Sequence, residues 1–206
     1  MLFEAFVLAI ITGYLFKGRL QNLSQTPLKG AVLIFGGLIL RNSAIFLKLP
    51  YIRLFADKLT FYIPILFLVS FVMLIAGVSL NIGHWSMAVV LAGILLNYAV
   101  VLINYGFMPV SGKGLMFAGF DISGLTSDKL DMNHILITAH TKLSVLSDII
   151  PIPRPYPFPK MISIGDVVIC LGLFFYIVIM MLPKRIKAVK ERRKYYVFND
   201  VTTDAR

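Results

Sequence analysis

Residues 163–187 read SIGDVVICLGLFFYIVIMMLPKRIK, and their order decides the class of the chain. Ser163 and Asp166 open the stretch close to the pattern of a capping box, which closes a helix amino terminus; capping by itself accounts for both residues. Apolar residues then run from about Ile164 to Leu182, with no charge after Asp166. At about 1.5 Å per residue, such a run crosses a hydrocarbon layer roughly 30 Å thick. Cations follow at once: Lys184, Arg185, Lys187, Lys190, Arg192, Arg193 and Lys194. An apolar helix followed by a basic tail has the pattern of a span anchored on its cytoplasmic side.

Outward from this stretch the theme repeats. Of 206 residues, 58% are hydrophobic and 15% charged, and the mean hydropathy is +0.84. Soluble domains carry about 25% charged residues, so lipid is the expected solvent for most of this chain. The expected fold class is an all-α membrane protein: a bundle of about five transmembrane helices, an extracytoplasmic amphipathic helix and a proline-rich strap. The spans fall at about residues 1–16, 30–47, 59–80, 85–105 and 164–182. Their continuous apolar character excludes a β-barrel, whose strands alternate. The first lacks a basic n-region and a small-residue cleavage site, so it reads as a retained span. Residues 48–58, KLPYIRLFADK, mix cations with large apolar side chains, as a segment lying in the membrane interface does.

The organisation follows from the charges. Residues 1–105 hold four helices, 106–163 an extracytoplasmic loop subdomain, 164–182 the fifth helix and 183–206 a basic cytoplasmic tail. With that tail inside, the amino terminus lies outside, and residues 48–58 face out against the charge bias. The net charge of +10 thus belongs to membrane anchoring and anionic lipid. Nucleic acid is not an expected partner, since no aromatic platform accompanies the cations. Membrane lipid is, with a small amphipathic ligand beside it; no protein partner is specified. A lone cysteine, Cys170, excludes an internal disulfide and a cysteine-built metal site. No metal and no cofactor are expected.

Within the outer segment, Met132, Ile135, Leu136, Ala139, Leu143, Leu146 and Ile150 have the spacing of an amphipathic helix beginning near Ser127 or Asp128. PIPRPYPFP, residues 151–159, places a proline at every second position and reads as a stiff extended strap back to the last helix.

Polar residues in the apolar runs are the candidate site. Arg41, followed by Asn42, stands inside the second run, where a charge costs about 2.5–3.5 kcal/mol on the insertion scale. It either snorkels to the surface from a helix that ends early or faces a cavity holding an anion or carboxylate. Gly93, Asn97 and Asn104 share one helical face. That face is either interhelical hydrogen-bonding glue or the lining of a cavity with Arg41 and Asn42. Asp166, at the mouth of the last helix, is placed to meet Arg41 or a ligand cation. The ligand-binding set is therefore Arg41, Asn42, Asn97, Asn104 and Asp166.

A catalytic set is harder to assemble. His134 and His140, six residues apart, would point about 120° from each other on a helix, so one helix cannot chelate with both. GFMPVSGKG is no P-loop, and there is no HExxH, GxSxG or glutamate pair. What remains is His140 as acid or base, oriented by Asp148 and aided by Lys142, acting on a lipid-linked substrate.

NYGFMPVSG, HTKLSVLSDIIPIP and SIGDVVICLG together resemble a family of small bacterial polytopic membrane proteins known as a domain of unknown function. The likeness is densest from Asn104 to Gly172. It rests on Asn104, Met108, Pro109, His140, Leu146, Asp148, Pro151, Pro153, Ser163, Gly165 and Asp166. It implies a bacterial, inner-membrane location and favours His140 over His134, but implies no activity. Three functions stay open: binding of an amphipathic or anionic small molecule or lipid from the outer side, a membrane-embedded enzyme, and a structural subunit.

Overall fold

The computed structural model describes residues 1–42, 61–121 and 133–183. The interfacial segment at 48–58, the expected start of the outer helix at 127–132 and the basic tail from 184 lie outside them. Seven α-helices are found among the described residues: α1 (Leu2–Leu15), α2 (Leu20–Ser24), α3 (Ala31–Arg41), α4 (Ile63–Ser79), α5 (Trp85–Ile103), α6 (Gly112–Phe117) and α7 (Ile164–Met181). Four three-residue strands join them, β1 (Met108–Val110), β2 (His134–Leu136), β3 (Ile150–Ile152) and β4 (Lys160–Ile162). Helices α5 and α7 are long and apolar enough to cross a membrane; α1, α3 and α4 are shorter apolar helices.

Local chemistry sets the helix ends. Pro64 sits in the first turn of α4, where its missing N–H costs nothing. Ser163 Oγ accepts from the Asp166 N–H at 3.0 Å while the Asp166 carboxylate accepts from the Ser163 N–H at 3.2 Å, completing a reciprocal cap on α7. Asn81 closes the α4–α5 turn. Its carboxamide takes the Lys29 N–H at 3.0 Å and donates to the Lys29 and Gly77 carbonyls, tying the start of α3 to the end of α4.

Packing runs α3 on α4, α4 on α5, α5 on α7 and α7 on α1. Phe67, Phe71 and Leu74 of α4, Val90 and Ile94 of α5, and Tyr176, Ile177 and Met180 of α7 form the shared core. Helices α5 and α7 are antiparallel and very close. A Cβ on Gly93 would lie 2.6 Å from the Gly165 carbonyl oxygen, and one on Gly165 would lie 2.0 Å from Asn97 Oδ1. Helix α1 runs parallel to α7. Its Glu4 meets Lys160 just ahead of α7, and beyond its other end the Arg19 N–H donates to the Met181 carbonyl at 2.8 Å. Lys17, Arg19 and Lys29 therefore gather near the carboxyl end of α7, and the strands near its amino end.

Three expectations change. Helix α3 ends at Arg41 with Asn42 as its cap, residues 43–47 of the expected span lying outside the described residues, so Arg41 is in its last turn, where a cation complements the helix dipole. The outer helix is replaced from residue 133 onward by β2, turns and a short 3-10 turn at Ser144–Leu146. Its backbone groups are taken elsewhere. The Ile137 N–H donates to Val110 and the Asp148 N–H to Pro109, both on β1, and Leu143 adopts φ +52°, which no α-helix accommodates. Finally, the proline ladder is a hairpin and not a single strap: β3 pairs antiparallel with β4, Ile150 opposite Ile162 and Ile152 opposite Lys160. Pairing uses only Ile150, Pro151 and Ile152 on the outgoing strand, after which the prolines turn the chain back.

Candidate functional site

A cavity of about 210 Å³ opens between α1, α3, α4, α5 and α7. Its walls are aliphatic, from Ile34 and Leu38 of α3, Leu74 and Val78 of α4, Val90 and Ile94 of α5, and Ile169 and Leu173 of α7. Two charged side chains interrupt them, Arg41 and Asp166, and the lining also includes Met1, whose terminal ammonium pairs with Glu4. Engineered cavities of about 150 Å³ admit benzene, whereas drug-sized ligands take about 300 Å³ or more. The space thus suits a small head and a short length of chain.

The Arg41 guanidinium is carried by an aromatic platform. Its central carbon lies 4.8 Å from the Phe71 ring centroid and 5.4 Å from that of Phe67, within cation–π range. The two rings, one helical turn apart on α4, meet edge to face at 5.2 Å. Arg41 feels the field of Asp166 first and of Asp148 second. Its side chain makes no hydrogen bond or ion pair with a described residue, although its carbonyl accepts from Asn133 at 3.5 Å. A guanidinium offers five donors in a fixed fork, and no described residue takes any of them.

Asp166 is held in place by its neighbours. Asn97 Nδ2 donates to Asp166 Oδ1 at 2.9 Å, while Asn97 Oδ1 accepts from Ser163 Oγ at 2.8 Å. Gly165 leaves room for that carboxamide. Each carboxylate oxygen accepts one bond in this network, and a carboxylate has about four acceptor sites. Capacity remains toward the cavity.

The other expected residues are placed differently. Asn97 belongs to the site as the group that orients Asp166, buried and outside the lining. Asn104 does not belong to it: its carboxamide donates to the Lys142 carbonyl at 2.9 Å and to Val100 at 2.8 Å and accepts from the Lys142 N–H at 3.2 Å. It holds the outer segment to α5, because one side-chain amide can pair with a backbone amide as a strand neighbour would. Asn42 is exposed and donates to the Leu38 carbonyl at 2.8 Å, capping α3. His140 and Lys142 are exposed, away from the cavity lining. Buried Asp148 has His134 beside it instead, Nε2 to Oδ2 at 3.6 Å, because β2 and not a helix carries that histidine to β1.

Some features escape sequence reasoning. The spacing of Phe67 and Phe71 was a usable signal for the platform; nothing local pairs His134 with Asp148. Nor does anything local announce that Glu4 accepts hydrogen bonds from Tyr156 Oη and Lys160 Nζ, pinning the hairpin to α1. The bond to Glu4 holds the Tyr156 phenol above its ordinary pKa. The Lys160 ammonium lies 5.1 Å from the Tyr156 ring centroid.

Two helices long and apolar enough to cross a membrane suggest membrane association, and Arg41 and Asp166 both line an aliphatic cavity. Residues 25–178 match the family of unknown function DUF5317, and the chain belongs to that family. An uncharacterized protein of Thermotoga maritima is 24% identical over 179 residues, covering 87% of this chain and 91% of the relative. No solved structure matches the chain.

Proposed function

We propose that this is a multi-pass protein of the bacterial cell membrane that binds an amphipathic small molecule or lipid from the outer side. Arg41 anchors an anionic group of the ligand, and the aliphatic walls take part of its chain. The observation that carries this reading is Arg41 itself: a guanidinium on a Phe67–Phe71 platform, lining an aliphatic cavity with its donors taken by no described residue. A cation so placed costs free energy unless something answers it, and an anionic head group is the natural complement.

Five crossings, by α1, α3, α4, α5 and α7, suit the outward faces of these helices. Phe3 and Leu15 of α1 are 76% and 78% exposed, and Val32 and Phe35 of α3 are 84% and 59% exposed. Apolar surface of that extent is stable against lipid and a liability in water. Lys17, Arg19 and Lys29 then mark the cytoplasmic end, the amino terminus lies outside, and the hairpin and cavity mouth face out. Residues 106–163 form the outer subdomain, and 183–206 the cytoplasmic tail.

Mass spectrometry of lipid co-purifying with the detergent-solubilised protein tests the reading. A defined amphiphile should be enriched about tenfold over an Arg41→Gln variant, as expected for losing a charged hydrogen bond. If both proteins carry the same bulk lipid, the binding reading fails.

A further inference from the structure

Arg41 does not stand alone in the cavity lining, and its neighbours narrow the ligand further than an anionic head would. Asp166 lines the same cavity, held by Asn97 and Ser163 with acceptor capacity to spare. The two charges share a space without forming an ion pair or hydrogen bond with each other. Asp148, whose histidine neighbour is His134, adds a second carboxylate to the field at Arg41. A plain anion arriving at Arg41 therefore approaches two carboxylates as well. The Met1 ammonium at the same cavity is already paired with Glu4, so Arg41 alone is left to attract a purely anionic head against those carboxylates.

From this geometry, and resting on the binding reading above, we infer that the ligand head is zwitterionic: an anionic oxygen pairs with Arg41 and an ammonium with Asp166, while a short aliphatic segment enters the cavity. Each ligand charge then completes a protein charge, and the pocket closes electrically neutral between these partners. A phosphoethanolamine-type lipid head has this chemistry, and so does a free α-amino acid with an aliphatic side chain. Both place an ammonium a few bonds from an anionic oxygen. The cavity volume of about 210 Å³ suits the amino acid whole, or the lipid head with the first part of a chain.

Four probes of equal chain length separate these cases on the full chain in a non-ionic detergent, read by native mass spectrometry and thermal shift. Octyl phosphate carries the anion, octylamine the cation, and 2-aminodecanoic acid, whose side chain is octyl, and octyl phosphoethanolamine carry both. Both charges engaged should make at least one zwitterion bind the wild-type protein about tenfold tighter than either single-charge probe. The tighter zwitterion then distinguishes a free amino acid from a lipid head. Asp166→Asn, which keeps a capping side chain at the start of α7, should bring octyl phosphoethanolamine to within about twofold of octyl phosphate. Arg41→Gln should weaken both phosphate probes. Octyl phosphate binding the wild-type protein as tightly as both zwitterions would overturn the inference and leave anion binding at Arg41 standing. Failure of every probe, or binding indifferent to Arg41→Gln, would instead remove the binding reading itself. The wild-type comparison needs no variant, so a misfolded Asp166→Asn protein would not blunt the test.

Discussion

Asn97 decides how the site is held, although it is not among the residues that line the cavity between the helices. One carboxamide donates to Asp166 and accepts from Ser163, so it fixes both the charged group and the cap of α7. Its space exists because residue 165 has no side chain. Gly165→Ala would place a carbon 2.0 Å from Asn97 Oδ1, and overpacking of this kind costs typically about 1–3 kcal/mol. We predict a lower thermal midpoint in detergent for Gly165→Ala, with partial recovery when Asn97→Ala is added. A single variant as stable as the wild type would show that α5 and α7 are less tightly apposed. The helical spacing of Gly93 and Asn97 made a shared inward face legible in the sequence. It did not reveal that Asn97 acts on Asp166, because that contact joins positions 69 apart.

At the scale of elements, the helices were legible and the outer segment was not. Four of the five expected spans coincide with α1, α4, α5 and α7 to within a few residues, since uninterrupted apolar composition is a local property. Residues 133–150 were misassigned for a physical reason. Their apolar spacing fits a helix, but Ile135, Ile137, Thr138, Thr141 and Val145 are β-branched, and β1 and Asn104 supply better partners for the backbone. The proline ladder was extended where expected, at Ile150–Ile152, but its reversal depends on pairing with Lys160–Ile162. Asn104→Ala should release the Lys142 backbone and cost about 1–3 kcal/mol through the amide groups left unpaired. Hydrogen exchange should quicken at residues 138–146 while the middle of α5 stays protected. Unchanged exchange there would mean that β1 alone holds the segment.

For the molecule as a whole, the proposed orientation is open to a direct measurement. In a Cys170→Ala background, Arg19→Cys should react with a membrane-impermeant thiol reagent only after the cells are permeabilised, whereas Arg154→Cys should react on intact cells. Labelling of both from the same side would overturn the five-span arrangement, since Arg19 lies beside the carboxyl end of α7 and Arg154 in the hairpin before its amino end. Charge distribution in the sequence carries this expectation. Counting spans already puts the Lys17 to Lys29 loop on the side of the basic tail; what the folded chain adds is the path through α2 and the Asn81 turn, which is set by long-range hydrogen bonds.

The parallel pairing of α1 with α7 carries a consequence for biogenesis. Glu4 and Lys160 are separated by 156 positions, and at about 5–20 residues per second the ribosome needs roughly 10–30 s between them. Among the described residues α1 packs chiefly on α7, and α7 also covers the face of α5 with Gly93 and Asn97, so through that interval both surfaces lack their main partner. The wall formed by α7 arrives last, so the cavity between α1, α3, α4, α5 and α7 closes only when translation delivers the final helix.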